Sequence, residues 1–270
     1  MRRIIKAALA CAGLLAFASQ AFADTTWDTI KNSDVLRNCV IKAGQPYSFT
    51  NDKGEWEGLS VDMGNDLAQM MGVKVAYQET TWGTAVLDLQ SNKCDVVFGL
   101  NASPNRWEAV DFAGPLWKFN YMIVLGKDWK GGQSWADFDK PDVTLAVIRG
   151  ADETAVNKYT PNAKKLVFAD FSEVVLAVQS HRADALVTTA LLAVSAVAKN
   201  PDLGTLIQVN PEYGLPAYAA MRKEDDRRFR DYVNHWAEYN RDLGNIGIWV
   251  KKSLASLGVE ASKIPSSVNF

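Results

Sequence analysis

The sequence predicts an α/β protein built as two mostly parallel α/β lobes. Three observations carry this. Strand-like and helix-like segments alternate from Cys39 to Gly99. The alternation restarts after residue 120. A long helical tail then follows the last strand-like segment.

In order, "CVIKAG" reads as a strand, and "QPYSFTNDKGEWEG" as a turn-rich link with a tight turn at Asn51-Asp52-Lys53-Gly54. "LSVDMGNDLAQMMG" spaces Val61, Met63, Leu67, Met70 and Met71 as one helix face, and Gly72 ends it. "VKVAYQET" alternates as a strand. "WGTAVLDLQSNK" reads as a helix with Val86 and Leu89 on one face, and "CDVVFG" as a third strand. This order implies a right-handed, mostly parallel sheet. In the second half, "YMIVLG", "VTLAVIRG", "ADALVT" and "YAAMRK" read as strands. "DETAVNKY", "SEVVLAVQSH" and "TALLAVSAVAKN" read as helices, and the tail is helical with a break at Gly244. In such a protein, function sits in the crevice between the halves.

Composition is ordinary for a globular protein: 270 residues, 48% hydrophobic and 22% charged. Residues 1–23 read as a secretory signal peptide. They have a basic head (Arg2, Arg3, Lys6), an apolar centre and a small-residue site at Ala21-Phe22-Ala23, so cleavage is expected before Asp24. The apolar stretch from Ala7 to Ala18 is short for a membrane span. Cys11 sits too near the charged head for a lipidation site. Removing Arg2, Arg3 and Lys6 takes the basic count from 29 to 26 against 31 acids, a net charge of −5. That balance argues against a nucleic-acid partner.

Two cysteines follow the leader, Cys39 and Cys94. An even count in an oxidising compartment suggests a structural disulfide. Each opens a strand-like segment, so parallel neighbouring strands would bring both to one sheet edge. The closed loop of about 55 residues is worth about 4 kcal/mol in the chain-entropy model. A metal or redox role would need CxxC spacing or clustered histidines, and His181 and His235 stand apart. No metal, nucleotide or other cofactor motif is present.

The stretch "DVVFGLNASPNRWEAVDFAGPLW" puts Arg106 just past the carboxyl end of a strand, where open α/β sheets bind ligands. With "QPYSFTNDKGEWEGLSVDM", "TTWGTAVLDLQSNKCDVVFG", "VIRGADET", "RADALVTT" and "YAAMRKED", it forms six pieces in one order. In that order they resemble the bacterial extracellular solute-binding proteins, family 3, periplasmic components of ABC importers for polar amino acids. The resemblance covers residues 36 to 256. It implies the type II periplasmic-binding-protein fold, two lobes joined by two hinge segments near Phe119-Asn120 and Pro211-Glu212. Lobe I would be residues 24–119 plus 212–270, and lobe II residues 120–211. It also implies a monomer in the periplasm that delivers its ligand to an ABC permease in the inner membrane.

The resemblance further implies site residues. Arg106 is similar in position to the arginine that grips the ligand carboxylate, and a guanidinium suits that task because it is planar, forked and always charged. Gly99 and Asn101 match pocket-lining positions, although both also suit simple turns. Trp82 falls where an aromatic packs on the ligand, and Trp117 corresponds to an aromatic near the hinge; core packing is the alternative. Two departures matter. Thr189 stands where members usually carry the aspartate that holds the α-ammonium, and threonine cannot balance that charge. Asp152 stands where threonine is common, and can supply the missing anion or serve as a helix N-cap. Gly44 replaces an aromatic found in some members, which would open one wall.

The leading expectation is a non-enzymatic receptor for a small carboxylate-bearing solute. The alternative is a secreted enzyme similar to cyclohexadienyl dehydratases on the same fold, with Asp152 or Glu153 as the acid. A third is a ligand sensor acting through a partner protein.

Overall fold

The computed structural model describes residues 25–41, 44–259 and 268–269. The leader reading of residues 1–23 lies outside them. The chain runs α1 (Thr26–Ser33), β1 (Val35–Ile41), β2 (Phe49–Thr50), β3 (Trp56–Glu57), α2 (Leu59–Met71), β4 (Lys74–Thr80), α3 (Ala85–Gln90), β5 (Val96–Asn101) and α4 (Pro104–Ala109). It continues through β6 (Val110–Gly126), α5 (Trp135–Phe138), β7 (Thr144–Ile148), α6 (Ala151–Tyr159), β8 (Lys164–Phe168), α7 (Phe171–Gln179), β9 (Ala185–Thr189) and α8 (Ala190–Lys199). The last elements are β10 (Gly204–Gln208), β11 (Gly214–Arg222), α9 (Arg228–Asp242), α10 (Asn245–Ala255) and β12 (Val268–Asn269).

Strands follow the path β4-β1-β5-β11-β6-β9-β7-β8. The groups β4-β1-β5 and β9-β7-β8 are each parallel, as the βαβ order requires. Between them run two antiparallel strands, β11 and β6. The expectation that "YMIVLG" opens the second lobe as a separate strand is corrected here. It is the end of the 17-residue β6, which pairs with β11 up to Asn120 and with β9 from Tyr121. One continuous strand therefore ties both parallel groups. The crossing is braced by Asn120 Nδ2 donating to Glu212 Oε2 at 2.6 Å and Trp135 Nε1 donating to the Pro211 carbonyl at 3.0 Å.

The helices cover the sheet with their apolar faces. On α2, Leu59, Met63 and Leu67 are fully buried, and Gly72 closes the helix in the left-handed region at φ 70°. The tail breaks at Gly244, φ 75°, as its sequence indicates.

The disulfide expectation is borne out. Cys39 and Cys94 are bonded, with Cα atoms 5.6 Å apart. Cys39 lies in the middle of β1 rather than at its start, because β1 begins at Val35. The same corner carries Asp95, a buried carboxylate clamped by Arg37: the Arg37 backbone N–H reaches Oδ2 at 2.7 Å and Nη2 reaches Oδ1 at 2.5 Å. Arg37 also donates to the Asn92 carbonyl at 2.6 Å. The bond and the clamp thus pin one end of the lobe I sheet.

Candidate functional site

The parallel strands of both groups point their carboxyl ends at one cleft. β5 delivers Gly99 and Asn101, β7 delivers Ile148 and Arg149, and β9 delivers Thr189. Tyr47, Trp82, Leu100, Arg106, Ala151, Asp152 and Leu192 complete the lining around a cavity of about 40 Å³. A wider depression of about 810 Å³ lies elsewhere on lobe I, between Thr25, Asn92, Arg222 and Arg230. Arg222 there pairs with Glu224 at 2.5 Å, and although β11 ends at Arg222, no parallel strand has its carboxyl end in this depression.

The lobe I wall is braced. Pro104 starts α4, which places Arg106 in its first turn. Arg106 Nη1 donates to the Asn101 carbonyl at 3.2 Å. Among the described residues Arg106 makes no ion pair. Burial lowers its pKa from the ordinary value, opposed by the nearby Tyr121 and Asp152. Asn101 is itself held, with Nδ2 donating to the Pro216 carbonyl at 3.0 Å. Gly99 adopts φ 97°, which favours glycine, and a Cβ there would press on the Tyr47 ring at 3.0 Å. Tyr47 packs edge-on against Trp82, centroids 5.0 Å apart. Trp117 stands behind Tyr47 at 5.9 Å and is not among the lining residues.

The lobe II wall is built differently. Gly150 has φ 110°, and a Cβ on it would lie 2.7 Å from Arg106 Nη2. Its missing side chain lets the two walls meet. The nine-residue helix α6 starts next, at Ala151, so its N-terminal end faces the Arg106 guanidinium. Asp152 is 6% exposed. Desolvation pushes its carboxyl up to about 7, opposed by the hydroxyls of Thr188 and Tyr121 and then by Arg106. Those hydroxyls lie close enough to lower its pKa but outside hydrogen-bonding geometry. Asp152 Oδ2, Tyr121 Oη, Thr188 Oγ1 and Thr189 Oγ1 are all buried without a partner. Thr189 precedes α8 as its N-cap residue without capping it by its side chain.

The sequence-derived set thus divides. Trp82, Gly99, Asn101, Arg106, Asp152 and Thr189 share the cleft, and Trp117 forms its backing. Asp152 is not the N-cap of its helix, since Gly150 holds that position. Glu153 does not line the cleft; its Oε2 accepts from the Gly150 N–H at 3.3 Å. Gly44 does not open a wall. It packs against Ile41, and Tyr47 fills that side. Sequence reasoning missed Tyr47, Arg149 and Tyr121. For Arg149 a signal existed: like Arg106, it follows a strand end.

A comparison with protein families matches residues 36–246 to the bacterial extracellular solute-binding proteins, family 3. The chain belongs to this family. Among curated family relatives, the cyclohexadienyl dehydratase of Pseudomonas aeruginosa is 27% identical over 88% of this chain and 89% of its own length. A probable histidine-binding protein of Neisseria gonorrhoeae is 24% identical over 97% of this chain and 99% of its own. Among solved structures, an ancestral amino-acid-binding protein, a precursor of cyclohexadienyl dehydratase, superposes with a TM-score of 0.76 at 31% identity. It covers 84% of this chain and 99% of that one. The fold of this solute-binding protein is therefore the two-lobed, type II periplasmic-binding-protein fold. Its relatives include both amino-acid-binding proteins and an enzyme.

Proposed function

We propose that this protein is the periplasmic substrate-binding component of an ABC importer. It takes a small carboxylate-bearing solute, an amino acid or a close analogue, in the interlobe cleft and delivers it to an inner-membrane permease. One observation carries the reading. Arg106, a cation without an ion-pair partner among the described residues, faces the N-terminal end of α6 across the cleft. A carboxylate seated between them meets the guanidinium on one side and helix N–H groups on the other. Lobe II comprises residues 120–211 in this reading, with hinges at Phe119-Asn120 and Pro211-Glu212. Ligand contacts to both walls then favour the closed state. The protein acts as a monomer, exported by cleavage before Asp24.

The test is direct binding to the refolded protein and to Arg106→Ala. The expected result is saturable binding by a carboxylic acid that weakens at least about a hundredfold in the variant. Equal affinity in both proteins would sink the assigned grip.

A second reading has its own support. Asp152 is a buried acid held at about 7, which suits a general acid near neutral pH, and one relative is a dehydratase. In that reading Asp152 protonates the leaving hydroxyl of prephenate or arogenate as carbon dioxide departs. Release of the aromatic product, abolished in Asp152→Asn, is the observation that would replace the receptor by the enzyme.

A further inference from the structure

The charges around the cleft set the charge of what it takes. Two guanidinium groups line it, Arg106 from lobe I and Arg149 from lobe II, against one carboxyl, Asp152. Neither arginine is in an ion pair among the described residues. Arg149 is exposed at the mouth, with its backbone N–H donating to the Phe168 carbonyl at 2.8 Å. The neighbouring acid, Glu153, is turned back onto the start of its own helix. Polar atoms without partners add to the imbalance. Trp82 Nε1 can only donate, and Thr189 Oγ1 can donate as well as accept. Donors and positive charge therefore outnumber acceptors and negative charge.

A basic amino acid does not suit this lining. Its side chain would bring a cation and more donors to a cleft that offers one carboxyl. A short acid with two carboxylates suits it better. One carboxylate takes Arg106 and the α6 N-terminal end. The second lies toward Arg149, and the indole and threonine donors meet the remaining oxygens.

We infer that the cleft selects a small net-anionic carboxylic acid, either an acidic amino acid or an amine-free dicarboxylate, and that Arg149 sets this preference. The inference rests on the carboxylate-receptor reading above.

Calorimetric titration of the refolded protein with L-glutamate, succinate, L-alanine and L-arginine tests it. One of the two anionic probes is expected to bind at least about tenfold tighter than alanine or arginine. Arg149→Gln should shrink that margin about three- to fivefold, as for a partly exposed charge, and Arg149→Glu should abolish it. Tightest binding by arginine or alanine, or an anion preference that survives Arg149→Glu, would overturn the charge assignment and leave a carboxylate receptor standing. If none of the four probes binds the unaltered protein, this inference falls, and the receptor reading is decided separately by carboxylic-acid binding to the unaltered protein and to Arg106→Ala. Glutamate bound without succinate would place the ligand among amino acids; the reverse would place it among simple acids.

Discussion

The two walls of the cleft are finished to different degrees. On lobe I, Asn101 is tied to the Pro216 carbonyl, Arg106 to the Asn101 carbonyl, and Tyr47 is wedged between Trp82 and Trp117. A disulfide and the Arg37–Asp95 clamp stiffen the sheet beneath. On lobe II, Asp152 Oδ2 and the hydroxyls of Tyr121, Thr188 and Thr189 are buried without a partner, whereas the lobe I wall leaves Trp82 Nε1 so. A preorganised wall holds its geometry before any ligand arrives. An unsatisfied wall gains most when something polar fills it. In the proposed receptor this difference would give closure a physical source, with ligand docking on the finished side and completing the other.

The strongest way to break this comparison is to remove the brace. Cys39→Ser with Cys94→Ser opens a loop of about 55 residues and should cost about 4 kcal/mol of stability, read as a lower denaturation midpoint. Ligand affinity, measured well below that midpoint, should change little, because neither cysteine lines the cleft. A large affinity loss at unchanged stability would mean that the brace shapes the site directly. Next in size is Arg106→Ala, where loss of about 3 kcal/mol of binding is expected with little change in melting of the ligand-free protein. That result would locate the lobe I contribution in one side chain.

Much of this architecture is legible in the chain. Alternating periodicities mark five of the six parallel strands and most helices, and the paired cysteines announce their bond; the edge strand β8, Lys164–Phe168, is not marked, because its two lysines break the apolar run. Arg106 stands out through its place past a strand end within the family's motif; residue type alone would read as a surface arginine. Other features were hidden for physical reasons. Gly114 and Pro115 look like a break, yet β6 runs through them because β11 pairs with both sides across a register shift. Tyr47 reads as ordinary core, and only the packing of Gly99 and Trp82 turns it into a wall. Tyr121 sits in an apolar strand run, and nothing local signals that its hydroxyl lies near Asp152 of another element.

The lobe II wall is sharpened by Asp152→Asn. Arg106 from α4, Tyr121 from β6, Thr188 from β9 and Tyr47 all face this carboxyl electrostatically. Its pKa is raised to about 7 in the folded protein, from about 3.9 in the unfolded chain. The folded state therefore holds the proton more tightly. The stability this lends is complete below about pH 4 and is lost as pH rises through 7. Melting temperature should fall over that window, and Asp152→Asn should flatten the fall. Parallel curves would remove Asp152 from the account. On binding, the variant should lose about tenfold for L-glutamate, whose ammonium needs the ionised carboxylate, and lose nothing for succinate.

The smallest expected effect separates the two walls most finely. Tyr121 is fully buried and its hydroxyl has no hydrogen-bond partner, although it lies near enough to Asp152 to lower that group's pKa. A buried hydroxyl left unbonded is a cost, so Tyr121→Phe should stabilise the ligand-free protein by about 1 kcal/mol. The same change removes a group that favours ionised Asp152, so the pH at which stability is lost should move upward. Comparable removals on lobe I should do the opposite. Asn101→Leu breaks a formed bond to the Pro216 carbonyl and should destabilise by about 1 kcal/mol. If Tyr121→Phe also destabilises, its hydroxyl is already bonded in the ligand-free protein, and the lobe II wall is as finished as the one opposite.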